Sequence, residues 1–292
     1  MTPSLCYLDT PMRRRWWGWL GLLVGIAALG LGLRAFWIEP ASLRVERYVL
    51  PLERWPSRLN GLRIAVLADL HVGSPWNGID KLRRIVDETN AAGADLVLLA
   101  GDYVIKGIPG GTFVPPEETA AVLRGLHAPL GVYAVLGNHD WWFDVGRVQR
   151  ALAGAGITTL EDQAIPIDGP HGRFWLAGVS DFWEGRHDVH GALAEVTDDA
   201  PVVAFTHNPD VFPRMPERLA LTIAGHTHGG QVCLPLVGRL IVPSRYGQRY
   251  AIGHVVEDGR HLFVTPGLGT SIVPVRFRVP PEISVVELRA AP

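Results

Sequence analysis

Arg63-Ile64-Ala65-Val66-Leu67-Ala68, an apolar run that reads as a strand, ends on a carboxylate and an imidazole in Asp69-Leu70-His71. The arrangement recurs along the chain. Asp95–Ala100 leads into Gly101-Asp102, Gly131–Leu136 into Gly137-Asn138-His139-Asp140, Val202–Thr206 into His207, and Leu221–Ala224 into Gly225-His226-Thr227-His228. Side chains at strand ends converge along one edge of a sheet, so groups far apart in sequence can share one pocket. Singly, each has a structural explanation: a strand-end Asp caps the next helix, an Asn serves a turn, a lone His fills a core. Their order and common context make them a candidate site.

Between these points strands and helices alternate. Helices are expected near Ile79–Ala92, where Leu82, Ile85 and Val86 share one face, near Glu117–Leu126 and near Val145–Ala155. The second half is richer in strands, at Ala164–Ile167, Phe174–Val179, His261–Thr265 and Ile283–Leu288, with one helix near Val189–Thr197. An α/β first half and a β-rich second half predict two packed sheets with helices outside.

A chain of 292 residues suits one large domain or two small ones. With 48% hydrophobic and 19% charged residues, it can bury a core and is no disordered segment. A formal charge of −2 argues against a nucleic-acid partner held on a broad basic surface, but not against a small phosphorylated substrate held by metals. Cys6 and Cys233 form no CxxC pair and support neither a disulfide framework nor a thiolate zinc site.

Trp16–Leu33 is an unbroken run of small, aliphatic and aromatic residues, preceded by Arg13-Arg14-Arg15. At about 1.5 Å per residue its length is close to the hydrocarbon thickness of a bilayer. Trp16, Trp17 and Trp19 at one end and Trp37 at the other suit interfacial belts, and Arg34 can snorkel to the far headgroups. No convincing small-x-small cleavage site follows, which favours an anchor over a cleaved signal peptide. The expected division is a basic segment at 1–15, a transmembrane anchor at 16–38, a linker and first strand at 39–61, and the main domain at 62–292. Arg13–Arg15 favour a cytoplasmic N-terminus, which would make this a single-pass membrane protein with its domain outside the cytoplasm.

The clustered side chains suit divalent metals. Imidazoles and carboxylates without cysteine point to Mn, Fe, Zn or Co. Asp69 and His71 are two apart, so both can reach one ion only from an irregular strand end; His226 and His228 have the same spacing, with Gly225 and Gly229-Gly230 giving the backbone room to turn. Asp102, with two oxygens at another strand end, is the natural bridge. Two ions about 3.5–4 Å apart can share a hydroxide of lowered pKa, which attacks phosphorus while they neutralise the phosphate oxygens. No Gly-x-Ser-x-Gly elbow is present, and none is needed. His139 could, as a cation, stabilise developing charge or protonate the leaving oxygen.

The ordered set Asp-x-His, Gly-Asp, Gly-Asn-His-Asp, a lone His and Gly-His-Thr-His-Gly-Gly resembles the calcineurin-like metallophosphoesterases, from about residue 62 to 270. The anchor and the Gly-His-Thr-His-Gly-Gly-Gln ending are most similar to the bacterial membrane-associated branch of that family. The resemblance implies a four-layer α/β/β/α sandwich with a dinuclear site at the strand ends. It implies that Asp69, His71, Asp102 and His228 hold one metal, that Asp102, Asn138, His207 and His226 hold the other, and that His139 is the catalytic imidazole. The expected activity is hydrolysis of phosphodiester or pyrophosphate bonds in a phosphorylated small molecule or lipid. UDP-2,3-diacylglucosamine, the substrate of pyrophosphatases in this branch, is the leading specific expectation. The alternative is a non-catalytic protein-binding scaffold on the same fold, which would typically have lost ligands.

One departure bears on substrate. Family protein phosphatases continue their second motif as Gly-Asp-x-Val-Asp-Arg-Gly, whereas this chain reads Gly101-Asp102-Tyr103-Val104-Ile105-Lys106-Gly107. Ile105 cannot orient an imidazole and Lys106 grips phosphate less well than Arg, so a phosphoprotein is not the expected substrate. Asp140 is the candidate to orient His139 instead. His127, His171, His187, His190, His254 and His261 have no partner at useful spacing and are expected at the surface or in packing. Trp141, Trp142, Phe143, Phe182 and Trp183 are expected in the core, with an apolar wall for a lipid tail as the alternative.

Overall fold

The computed structural model describes residues 11–292, with side chains from residue 16 onward. Cys6 and the side chains of Arg13-Arg14-Arg15, on which the orientation expectation rests, lie outside the described residues. The strands are β1 (Arg44–Leu52), β2 (Leu62–Leu67), β3 (Leu96–Ala100), β4 (Val132–Val135), β5 (Thr158–Thr159), β6 (Gln163–Gly169) and β7 (Gly172–Val179). They continue with β8 (Val202–Thr206), β9 (Leu219–Ala224), β10 (Cys233–Leu234), β11 (Gly238–Arg239), β12 (Gly253–Glu257), β13 (Arg260–Val264) and β14 (Glu282–Ala290). Two six-stranded sheets run β1-β14-β2-β3-β4-β5 and β12-β13-β9-β8-β7-β6, and β10 pairs with β11 as a separate hairpin. The α-helices are α1 (Pro11–Leu33), α2 (Ile79–Ala91), α3 (Pro116–Leu123), α4 (Asn138–Gly154) and α5 (Val189–Leu193), apart from one short turn at Glu39–Ala41.

Burial follows the pleat of the strands. Ile64 and Val66 of β2 pack between the sheets with Leu96 and Leu98 of β3 and Val203 and Phe205 of β8. Ala65 and Leu67 turn the other way, with Val97 and Leu99, and meet Leu82 and Ile85 of α2, Leu123 of α3 and Leu152 of α4. On the second sheet Ala177 and Ala204 are covered by Ala192 of α5 and by Val211 and Phe212. The central strands are thus buried on both faces, which is why they read as unbroken apolar runs. The four layers are the α/β/β/α sandwich that the resemblance implied.

This topology gathers the motifs. β2, β3 and β4 are parallel neighbours, as are β7, β8 and β9, so in each sheet three carboxyl ends meet at one edge. The segment at 39–61 contributes β1, which pairs in parallel with β14 along its length. Some elements differ from expectation. α4 begins at Asn138 rather than near Val145, because the Asp140 carboxylate in its first turn accepts the Gly137 N–H and fixes the helix start. Its backbone breaks at Asp144 (φ −173°, ψ 90°), and the expected helix is the part beyond the break. β5, β10 and β11 are two residues each, too short to carry a periodicity, and β12 is an edge strand with polar ends.

α1 continues through a π turn at Arg34–Ile38 into Glu39–Ala41. The stretch Trp16–Ala41 has a mean hydropathy of 1.9 in its most apolar window, and none of that window is buried within the protein. A helix apolar all round and unburied is long enough to cross a bilayer, and it indicates membrane association.

Candidate metal centre

Five of the converging side chains stand on left-handed backbone, with φ of 52° at Asp69, 39° at His71, 61° at Asp102, 68° at His226 and 52° at His228. Each such conformation costs about 1–3 kcal/mol and persists only where its surroundings fix it. In a regular strand, residues two apart share a face but stand about 6.6 Å apart. Curling the chain at these points brings Asp69 and His71 into one group and turns His226 and His228 into two adjoining ones. The curls are held by a ladder between loops: Asp69 N–H donates to Gly101 O, His71 N–H to Asp102 O and Val72 N–H to Tyr103 O. Across the sheets, His226 N–H donates to the Asp69 carboxylate at 3.0 Å.

All seven expected ligands are buried and meet in two adjoining groups. In the first, His228 Nε2 lies 3.4 Å from Asp69 Oδ1 and 3.2 Å from His71 Nε2. In the second, His207 Nε2 lies 3.1 Å from Asn138 Oδ1 and 3.1 Å from His226 Nδ1. Asp102 Oδ2 stands between them, 3.4 Å from His71 Nε2 and 3.3 Å from His207 Nε2. His71 Nδ1 faces Val104 O and His207 Nδ1 faces Ala100 O. A carbonyl only accepts, so each Nδ1 carries the proton and each Nε2 turns a lone pair inward.

These residues fit a pair of divalent cations. Asp102 Oδ2 is buried without any hydrogen-bond partner. Inward lone pairs and bare carboxylate oxygens repel one another unless something positive lies among them, and the nitrogen and oxygen donor set suits first-row metals. A proton competes for the same place. Burial lowers the His207 pKa, but Asp102 and Asp69 outweigh it and raise the group to about 10. His71 is pulled down to about 3 by burial, and His226 and His228 lie well below the ordinary range for the same reason. Burial alone would raise Asp102, yet His207 and His71 hold it well below the carboxylate range. A metal ion entering the second group would have to displace the His207 proton.

Asp140 does not orient His139. Its buried carboxylate accepts N–H bonds from Asp102, Tyr103 and Gly137, each at 2.9 Å, and from Val104 at 3.3 Å. It ties the Asp102 loop to the first turn of α4. That turn then presents the His139 N–H to Asp102 Oδ1 at 2.9 Å, which aims Oδ2 at the imidazoles. The fit depends on Gly137, where an added Cβ would lie 2.2 Å from Asp102 Oδ1 and 2.6 Å from its amide nitrogen. Gly137→Ala is expected to displace Asp102 and destabilise the protein by about 1–3 kcal/mol, as overpacking does. Thermal unfolding and metal content of the purified variant check this, both falling together.

His139 sits at the rim, its ring edge-on to His71 at 4.7 Å and to Trp142 at 4.8 Å. Burial, opposed by Asp102, lowers its pKa, so the neutral ring prevails at pH 7 rather than the cation. The aromatic cluster divides. Trp141 and Phe143 pack on the core and Phe182 is buried, whereas Trp142 and Trp183 stay exposed at the mouth, Trp183 edge-on to His226 at 4.4 Å. Trp142 Nε1 donates to Glu184, and the buried Asp181 accepts the Trp183 and Glu184 N–H groups, fixing that side of the rim. Lys106 lies over the Phe143 and Phe113 rings.

Sequence reasoning missed Asp181 and Arg276. Arg276 is fully buried and donates only to carbonyls, those of Gly269, Pro266 and Val279, while Gly269 N–H donates to Asp69 O. A lone Arg or Asp in a loop has no spacing that would reveal such a role. His254 and His261 pack as expected but do have partners: His254 Nε2 meets His261 Nδ1 at 2.9 Å, and His261 Nε2 meets Glu53. Antiparallel pairing of β12 and β13 brings the two histidines together.

The family described as calcineurin-like phosphoesterase matches residues 62–230. The chain is 34% identical over 234 residues to phosphodiesterase YaeI of Escherichia coli, covering 77% of this chain and 82% of that one. It is 31% identical over 258 residues to a transmembrane protein with metallophosphoesterase domain from Danio rerio, covering 83% of this chain and 56% of that one. It is 25% identical over 302 residues to UDP-2,3-diacylglucosamine pyrophosphatase LpxG of Chlamydia trachomatis, covering 85% and 90%.

Proposed function

Because the chain belongs to the calcineurin-like phosphoesterase family, we propose that this metallophosphoesterase cleaves phosphodiester or pyrophosphate bonds in a lipid-linked substrate at a dinuclear centre. The observation that carries the dinuclear reading is Asp102 Oδ2, buried, unpartnered and 3.3–3.4 Å from imidazoles of two separate groups. Asp69, His71, Asp102 and His228 would hold one ion, and Asp102, Asn138, His207 and His226 the other. Two cations from the Mn, Fe, Zn or Co group, when bound, supply the Lewis acidity that lowers the pKa of water and neutralises phosphate oxygens.

The rest falls to the chain's own residues. Asp102 sets the spacing of the two groups, and Asp140 holds Asp102. The His139 imidazole, at the rim and favoured in its neutral form, would donate a hydrogen bond to the leaving oxygen as charge develops there, and would pass it a proton only after taking one up itself. Trp142 and Trp183 flank the mouth with apolar surface. His139→Ala is expected to lower kcat by about 10²–10⁴-fold with metal content unchanged. Full kcat in that variant would remove His139 from the role.

The lipid-linked reading draws on α1, on the exposed tryptophans, and on likeness to a protein named for UDP-2,3-diacylglucosamine. It divides the chain into a basic segment at 1–15, an anchor at 16–38, a linker and first strand at 39–61 and a catalytic domain at 62–292. Arg13–Arg15 favour a single-pass, N-in orientation with the catalytic domain outside the cytoplasm. The test is metal analysis of the full chain, then turnover with Mn of bis-p-nitrophenyl phosphate, monoesters and nucleoside-diphosphate lipids. Two ions per chain and a preference for the lipid pyrophosphate or diester are expected. A chain that binds no metal and turns over none of these overturns the reading.

A further inference from the structure

Among the described residues, large apolar side chains are exposed beside the metal centre without serving it. Leu236, Val237, Leu240 and Ile241 lie on and just after the β10–β11 hairpin, and Ile272 and Val273 in the loop before β14; Ile241 is 76% and Ile272 78% exposed. The two segments are stitched together. Cys233 N–H donates to Phe277 O and Phe277 N–H to Gln231 O, while the Gln231 side chain bonds Val273 O at 3.1 Å and Ser271 N at 2.7 Å. They abut the ligand turn, since Arg239 Nε donates to Gly229 O, next to His228, at 2.8 Å.

The same loop receives the root of α1. Arg276 N–H donates to Ala35 O at 2.9 Å, Val279 N–H to the buried Glu39 carboxylate at 2.6 Å, and Arg34 lies over the Phe277 ring. On the other side of the root, Trp76 Nε1 donates to Phe36 O at 2.9 Å and its ring packs on Trp37 at 4.6 Å. Trp76 belongs to the loop that leaves the centre at His71. The apolar helix is therefore clamped between two loops that each carry a ligand or brace one. A groove of about 300 Å³ at this root is lined by Arg34, Glu39, Arg44, Phe277, Arg278 and Pro280, with Glu39 paired to Arg34 and a net positive charge left at the level where headgroup phosphates would lie.

We propose that this face is a membrane-docking surface. The 236–241 and 272–273 side chains enter the interface from which α1 emerges, and the mouth of the metal centre is held at headgroup depth. The proposal rests on reading α1 as a membrane helix. Continuity with that helix identifies the occupant as a lipid surface, because exposed apolar patches of this kind mark interaction sites and this one begins where the chain leaves the bilayer. A substrate phosphate would then reach the ions from the headgroup layer.

Depth measurements on the full chain test this. With Cys6 and Cys233 replaced by Ser, Ile241→Cys, Ile272→Cys, Leu23→Cys and His171→Cys are labelled one at a time with a polarity-sensitive fluorophore and reconstituted in phosphatidylcholine–phosphatidylglycerol vesicles. His171 is the control, in the β6–β7 turn beside the starts of β2 and β3, at the strand ends opposite the centre. Labels at 241 and 272 are expected to be quenched at least threefold by headgroup-depth nitroxide lipids, the label at 23 by deep nitroxides, and the label at 171 by neither. Leu240→Cys and Val273→Cys repeat the reading if either first variant fails to fold. Labels at 241 and 272 that stay in water while 23 is quenched overturn the docking surface and leave the anchor standing. A label at 23 that also stays in water overturns both.

Discussion

Asp102→Asn is expected to leave a folded protein that no longer retains two metal ions and turns over phosphodiesters on the order of 10³-fold more slowly. The neighbours that merely orient metal ligands are worth about 10–100-fold, and a ligand shared by both ions should be worth more. Asn keeps the size of Asp and can still accept the His139 N–H on Oδ1, so the loop and α4 have no reason to separate. What changes is the atom aimed inward. In place of Oδ2, an NH₂ group would stand 3.3–3.4 Å from His207 Nε2 and His71 Nε2 and donate to one of them. That caps a lone pair the ion needs. Without metal the variant also loses the buried Asp102–His207 ion pair, so it should stay folded but melt below the metal-free wild type, while added Mn raises the Tm of the wild type only. Metal analysis with paired melting curves checks both halves. Two ions and wild-type turnover in the variant would refute Asp102 as the bridge.

What the sequence could announce, and what it could not, follows from how local each signal is. The central strands were legible because burial on both faces leaves a run such as Arg63–Ala68 with nothing polar after its first residue. Their order predicted two packed sheets with helices outside, while the four layers and the set of seven ligands came from the family resemblance of the motifs at the ends of those runs. The need for an irregular backbone at Asp69 and His71 was legible from their spacing, and both adopt positive φ. Tertiary pairing was not. Nothing around Arg276 hints that its guanidinium would be spent on three carbonyls beneath Asp69, and nothing in Gly253–Glu257 predicts that His254 would face His261. The aromatic run at 141–143 reads as one apolar cluster, yet the helical turn sends Trp142 outward and its neighbours inward. Periodicity predicted a helix only from Val145, because the capped turn at Asn138 carries ligands rather than an apolar face.

Asp140→Asn separates the two roles that this residue could have had. If the carboxylate oriented His139, the variant would behave like His139→Ala, with kcat reduced and metal retained. The geometry predicts the reverse. Asp140 Oδ1 takes the Tyr103 and Val104 amides, and Oδ2 takes those of Asp102 and Gly137. Whichever oxygen becomes NH₂, two buried backbone N–H groups lose their acceptor and meet a donor instead. Each stranded group costs about 1–3 kcal/mol, so the fold should lose roughly 3–5 kcal/mol and its Tm about 10 °C. The Asp102 loop is then free to leave the first turn of α4, and the distance from Oδ2 to His71 and His207 is no longer enforced. Metal affinity should fall by about 10–100-fold, the range seen when the groups that orient ligands are lost. At saturating Mn the loop can be drawn back by the ions, so kcat should return to within a few-fold of wild type. A variant with wild-type Tm and metal affinity but depressed kcat would show that Asp140 acts on the imidazole, and the assignment of the carboxylate to the loop would fail.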